Sequence, residues 1–249
     1  MSFLLAAALS LLAAPKALGA DATLPPDFVR LRDVDASILQ DIRYAGSHNF
    51  VGRPITGYAA PECLLTRAAA RALADAQAEL KPFGLSLKVY DCYRPQRAVD
   101  DFVAWAKDAA DQKMKAEFYP NVDKADLFKD GYIAAKSSHS RGATVDLTLV
   151  SLPAAPRERY SPGDGLRACT LPRGRRYGDD GLDMGTGFDC FDPRAHTAAV
   201  AVGRHQKMHR LLLKTLMEKH GFKNLPEEWW HYTLITEPDP DRTFDAEVR

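Results

Sequence analysis

The segment SSHSRGATVDLTLV, Ser137 to Val150, limits the possible folds more than any other part of the chain. His139 and Asp146 stand seven residues apart on either side of Gly142, where the sequence turns strand-like. For both to serve one site, a turn must deliver the imidazole and the strand after it must present the carboxylate to the same cleft. Gly142 supplies the backbone freedom such a turn needs. In ATVDLTLV the alternation sets Ala143, Val145, Leu147 and Leu149 on one face and Thr144, Asp146 and Thr148 on the other. Asp146 is therefore expected to face a cleft while Val145, Leu147 and Leu149 face the core.

A second segment offers the residue types the first one lacks. WWHYTLI, Trp229 to Ile235, is rich in aromatic and β-branched residues and reads as a strand carrying His231 on a rigid support. A catalytic zinc takes three ligands from imidazole nitrogen and carboxylate oxygen and keeps a fourth position for water. His139, Asp146 and His231 form such a set. Glu228, three residues before His231, can stand beside the metal as the base that takes a proton from the attacking water. Either segment alone reads more simply as a surface hydrogen-bonding pair, and only the combination points to a metal. His205 and His209 also lie at helical i, i+4 spacing, but Gln206 stands where a metalloprotease helix carries glutamate, so a solvated helix face is the better reading there.

Four stretches carry a family likeness: DCYRPQRAV (Asp91 to Val99), FYPNVDKADLFKDGYIAAKSSHSRGATVDLTL (Phe118 to Leu149), MGTGFDCFD (Met184 to Asp192) and EEWWHYTL (Glu227 to Leu234). Together they closely resemble the D-alanyl-D-alanine dipeptidases of the VanX type, in zinc peptidase family M15. The resemblance runs in the same order from about Phe28 to the end of the chain. It implies an α+β fold of the Hedgehog/DD-peptidase kind, a small mixed or antiparallel sheet packed with helices around a zinc cleft. It also implies one zinc ion held by His139, Asp146 and His231, with Glu228 as general base. Arg94, the arginine of the YRP motif, corresponds to a residue beside the scissile carbonyl, where a fixed guanidinium stabilises the oxyanion. Asp189 corresponds to part of the site for the substrate's free ammonium. More loosely, Ser137 matches a partner of the substrate carboxylate, and Tyr44 and Tyr58 match residues lining a small cavity.

The expected reaction is hydrolysis of D-alanyl-D-alanine to two D-alanines, in peptidoglycan turnover or D-amino acid scavenging. Two other readings stay open. A zinc D,D- or L,D-carboxypeptidase acting on muropeptide stems would use the same metal and a more open groove. A non-catalytic cell-wall binding module would have no need of Glu228 and Arg94 together.

Charge and length narrow the partners. The 249 residues carry 33 basic and 33 acidic side chains, with no basic run of the kind that tracks phosphates, so nucleic acid is not an expected partner. The apolar run FLLAAALSLLAA, Phe3 to Ala14, is too short to span a bilayer, and the small residues of PKALGADA follow it. Residues 1–22 thus read as a secretory signal cleaved near Ala20 or Ala22, although its start lacks Lys and Arg. The mature chain is expected to be periplasmic or secreted, without stable membrane insertion. Residues 23–249 read as a single domain with an insertion at about 151–190. The sequence does not reveal an oligomeric state.

In an oxidising compartment the four cysteines can pair in three ways. Cys169 with Cys190 is the first choice, because these two flank a segment dense in Gly, Pro, Arg and Asp that has little apolar surface to order it. A clip there contributes roughly 3 kcal/mol on the loop-entropy view. Cys63 with Cys92 is then the second pair, and buried reduced thiols are the alternative.

Helical spacing joins Leu65, Ala68, Ala69, Ala72, Ala76 and Leu80, with PFG at Pro82 to Gly84 as the stop. Pro95 opens a second expected helix with Val99, Phe102, Val103 and Ala106 inside. A third is expected to bury Met208, Leu211, Leu212, Thr215 and Leu216 and to end at Gly221. Helices among a few strands, with no regular βαβ repeat, argue for α+β.

Overall fold

A five-stranded mixed sheet organises the computed structural model, which describes residues 23–154 and 157–249. Its strands are β2 (Leu39–Gln40), β4 (Leu85–Asp91), β5 (Thr144–Ser151), β6 (Phe222–Asn224) and β7 (His231–Leu234), in the spatial order β2-β4-β5-β7-β6. Only β2 and β4 run parallel; the other neighbours are antiparallel. A two-stranded antiparallel ribbon of β1 (Phe28–Arg30) and β3 (Leu64–Thr66) lies apart from it. The expected leader, residues 1–22, falls outside the described residues, and no helix among those described is long and apolar enough to cross a membrane.

The sheet separates its chemistry by face. Across the strands Leu87 pairs with Leu149, Val89 with Leu147 and Val145 with Tyr232, forming one apolar surface. On that side α2 (Arg67–Leu80) and α5 (Arg204–Lys219) lie together, joined where Lys219 Nζ and His220 Nε2 reach Glu79 at 2.8 and 3.0 Å. The other face carries the row Asp91, Asp146, His231. Strict alternation from Lys88 onward would turn Asp91 into the apolar side. A register shift between Val89 and Asp91 makes Tyr90 an extra residue, and the bulge returns Asp91 to the polar row. Over this face lies α3 (Gln96–Lys107), with Val99 and Phe102 buried.

Helix boundaries follow local chemistry. Thr66 caps α2 by accepting from Ala69 N, which leaves Leu65 in β3 rather than in the helix. The buried face of α2 is Ala69, Ala70, Leu73, Ala76, Gln77 and Leu80, so Ala68 points to solvent. The expected face of α5 is also overturned: Met208, Leu211 and Leu212 are 62%, 63% and 42% exposed, while Arg210, Leu213, Leu216 and Met217 are buried. Arg210 explains the rotation. Its guanidinium donates to the carbonyls of Met184, Arg194 and His196 at 2.7, 2.8 and 2.5 Å, tying the chain before α5 onto the helix. The second strand is shorter than expected as well. Trp229 and Trp230 are buried in a turn, and β7 starts at His231.

Within the segment at 151–190, Gly181 bridges to Val150 of β5 and Leu182 N donates to Leu149 O, so this part of the segment lies against the end of β5. Disulfides join Cys63 to Cys92 and Cys169 to Cys190.

Candidate metal centre and active-site cavity

His139 reaches the cleft on a 3-10 turn, Ser138–Arg141, that closes at Gly142. Gly142 has φ of 81°, and a Cβ there would come within 2.1 Å of the Phe28 ring, so conformation and space both demand glycine. Asp146 follows at the centre of β5, and His231 stands opposite it at the start of β7.

Three atoms converge. His139 Nε2, His231 Nδ1 and Asp146 Oδ1 are separated by 3.3, 3.2 and 3.3 Å. Tetrahedral zinc with bonds of about 2.0–2.1 Å sets its ligand atoms about 3.3–3.4 Å apart, so this triangle has the dimensions of one face of a zinc tetrahedron. Protonation points the same way. His139 Nδ1 donates to the Cys92 carbonyl at 2.7 Å, which leaves Nε2 as a lone pair facing the centre. His231 Nε2 faces Ser138 Oγ at 3.2 Å, freeing Nδ1 for the centre. Asp146 Oδ1 is buried without a hydrogen-bond partner, the mark of an acceptor whose natural partner is a cation. The residues fit the metal.

Electrostatics agree. Burial favours a protonated Asp146, but the imidazoles of His139 and His231 outweigh it and hold the carboxyl well below the usual carboxylate range. For His231 burial again disfavours charge, yet Asp146 and Glu228 raise it to about 9. Carboxylates that favour a proton on this ring favour a metal ion in its place.

The trio opens into a cavity of about 240 Å³ lined also by Tyr44, Arg94, Phe102, Tyr132, Ser137, Asp189, Phe191 and Glu228. Glu228 Oε2 lies 3.3 Å from His231 Nδ1 without joining the converging atoms, where a base beside a metal belongs. Arg94 is fixed from two sides. Its Nε and Nη2 reach Asp91 Oδ2, each at 2.9 Å, and its guanidinium lies over the rings of Tyr44 and Phe102 at 5.0 and 5.2 Å. Asp189 adopts φ of 55° and accepts from the Tyr44 hydroxyl at 2.8 Å. Burial, then the charge of Asp146, pushes the Asp189 carboxyl well above its ordinary range, with Tyr44 acting against the shift.

Ser137 lines the cavity and its Oγ accepts from His139 N at 3.3 Å. Tyr58 does not line it. Its hydroxyl donates to Asp91 Oδ1 at 2.5 Å, so it braces the carboxylate that holds Arg94. The sequence reading passed over two supporting residues, Asp91 and Ser138. Asp91 stands three residues before Arg94 and contacts both Arg94 and His139, the latter at 3.4 Å. Ser138 adjoins His139 but faces the other imidazole, that of His231. His205 is exposed, and His209 Nδ1 is engaged with the Asp183 carbonyl at 2.8 Å.

Among protein families, the Peptidase_M15 model, described as D-ala-D-ala dipeptidase, matches residues 26–154 and 173–249. Cys169 lies in the unmatched stretch between. A D-alanyl-D-alanine dipeptidase of Streptomyces coelicolor is 40% identical over 222 residues, covering 89% of this chain and 98% of that protein. One from Enterococcus faecalis is 37% identical over 223 residues, with the same coverage. Among solved structures, a mutant of the vancomycin resistance D,D-pentapeptidase VanY in complex with Zn(II) aligns with 74% of this chain and 79% of its own, at 12% identity and a TM-score of 0.37.

Proposed function

The chain belongs to the D-ala-D-ala dipeptidase family of M15 peptidases, and on that premise we propose that it hydrolyses free D-alanyl-D-alanine to two D-alanines with one zinc ion held by His139, Asp146 and His231. Bound there, zinc supplies Lewis acidity, polarising the scissile carbonyl and making water a nucleophile near neutral pH.

The protein's own groups do the rest. Glu228 takes a proton from the attacking water and returns it to the leaving amine, acting as base and then acid. Arg94, clamped by Asp91 and stacked on Tyr44 and Phe102, offers a preorganised cation to the oxygen on which charge develops. Asp189, whose Oδ2 accepts from the Tyr44 hydroxyl, meets the substrate's ammonium. Ser137 is a donor for the carboxylate end.

The observation that carries this reading is a buried carboxylate, Asp189, inside the same small cavity as the metal trio. Burying a carboxylate is costly unless a cation comes to it, and a free dipeptide brings one at the end away from its carboxylate. The cavity's 240 Å³ also falls below the range of about 300–1,000 Å³ usual for larger ligands, which favours a dipeptide over a muropeptide stem.

Two features support an exported protein acting in peptidoglycan turnover or D-amino acid scavenging. One is the leader-like sequence of residues 1–22, and the other is a pair of disulfides, which persist in oxidising compartments.

The test is D-alanine release by zinc-loaded protein from D-Ala-D-Ala, L-Ala-L-Ala and a stem pentapeptide ending in D-Ala-D-Ala. Release from the free D,D-dipeptide alone is expected, and Glu228→Ala should keep its zinc while losing turnover. Preferential release from the pentapeptide would make the enzyme a carboxypeptidase, and full activity in Glu228→Ala would remove that residue from the mechanism.

A further inference from the structure

Asp189 sits on a short stretch of chain tied at both ends to one residue. Gly187 N donates to the Cys169 carbonyl at 2.9 Å, and Cys190, the residue after Asp189, forms its disulfide with Cys169. Cys169 is itself anchored, since its amide donates to the Glu117 carbonyl at 2.8 Å and Arg176 Nη1 donates to its carbonyl at 3.3 Å. Immediately beyond, Phe191 N donates to the Phe118 carbonyl at 2.8 Å. The backbone at Asp189 needs such restraint. A non-glycine residue with φ of 55° is uncommon and holds only where its surroundings fix it.

From this geometry we infer that the Cys169–Cys190 disulfide is a positioning device for the ammonium subsite, holding Asp189 at the angle from which it meets the substrate's amino end. The brace is a feature of this chain's own insertion, because Cys169 lies in the stretch, 155–172, that the family model does not match. The insertion thereby does more than decorate the surface. The disulfide from this unmatched stretch ends at Cys190, beside a substrate-binding side chain. Both cysteines are buried, and neither sulfur touches the reacting atoms, so their influence runs through Asp189.

The inference rests on the reading of Asp189 as the ammonium partner, and a double-mutant cycle separates the two. Steady-state kinetics on D-Ala-D-Ala would compare the wild type, Cys169→Ser/Cys190→Ser, Asp189→Asn and the triple variant, each with its zinc content measured. Removing the clip should raise KM about tenfold with kcat within about twofold, as expected when a charge-assisted hydrogen bond is misaligned. In the Asp189→Asn background the same removal should leave KM unchanged, because the group it positions is gone.

An equal rise in both backgrounds, or an unchanged KM with only a lower Tm, would overturn the inference. An unchanged KM in Asp189→Asn alone would overturn the ammonium reading instead. Should the serine pair not fold, Cys169→Ala/Cys190→Val fills the buried volume without a cross-link and carries the same cycle with the same outcomes.

Discussion

Asp91 stands directly across the β4–β5 pairing from Asp146 because Tyr90 interrupts the register between Val89 and Asp91. One carboxylate belongs to the converging trio and the other supports it. Asp91 Oδ2 holds Arg94 at 2.9 Å and lies 3.4 Å from His139 Nδ1, while Oδ1 takes the Tyr58 hydroxyl. A fully buried carboxyl in this position tends toward protonation through burial, against the pull of Arg94 and His139. Asp91→Asn keeps the shape and removes the charge. Groups that orient metal ligands are typically worth about 10–100-fold in affinity or activity. Zinc retention against a graded chelator and kcat should therefore both fall by that order, and an unchanged kcat would leave Asp91 a purely structural residue.

Arg94 should not tolerate lysine. Its fork meets one Asp91 oxygen through two nitrogens, and its plane covers the rings of Tyr44 and Phe102. An ammonium restores the charge without that planar fixation. Loss of one preorganised oxyanion donor costs about 100–1,000-fold in kcat. Arg94→Lys is expected at the lower end of that range, with KM nearly unchanged. A rise in KM at constant kcat would reassign Arg94 to ground-state binding.

What the sequence made legible was the chemistry written into short segments. His139 and Asp146 are read from one turn and one alternation, and Glu228 and His231 from one motif. Their convergence is a property of the β5–β7 register, which no single segment displays. Asp91 escaped notice because a bulge reverses the alternation that would have assigned its face. Tyr58 is assigned to the cavity wall only by a loose match to family pocket residues, whereas its hydroxyl is committed to Asp91. The α5 error has a different origin. Hydrophobic periodicity chooses Leu211 and Leu212 over an arginine for the inner face, and it cannot register that three backbone carbonyls from the chain before the helix await Arg210.

Arg210 is accordingly a stability residue without a catalytic role. Burial lowers its pKa to about 10, which still leaves it charged at neutral pH. Arg210→Met keeps much of the packed stem and strips the donors from three carbonyls. The His196 carbonyl keeps the Ala199 amide, while those of Met184 and Arg194 lose their donor; at about 1–3 kcal/mol for each acceptor left unmatched, a loss of about 2 kcal/mol or more is expected in denaturant unfolding. In the fraction that remains folded, kcat should match the wild type. A loss under about 1 kcal/mol would mean that water replaces the guanidinium.

Asp41 links the insertion to the sheet and sets an acid limit on stability. Its carboxylate lies 3.1 Å from Arg43, 3.4 Å from Lys88 and 3.4 Å from Arg159, the last belonging to the insertion. Burial acts to raise its pKa, but the three cations, Arg43 foremost, bring it from 3.8 down to about 2. A carboxyl whose folded pKa is depressed contributes stability that is complete above the unfolded value and is lost as pH falls toward the folded one. The window is therefore below about pH 4. Linkage puts the full contribution at about 2 kcal/mol, of which about 1 kcal/mol is lost between pH 5 and pH 3. Other carboxylates titrate in the same range, so the informative quantity is the difference between wild type and Asp41→Asn in urea unfolding at each pH. That difference should narrow by about 1 kcal/mol from pH 5 to pH 3. A gap that stays constant over this interval would show that Asp41 acts through hydrogen bonding that asparagine also loses, with no contribution from its charge.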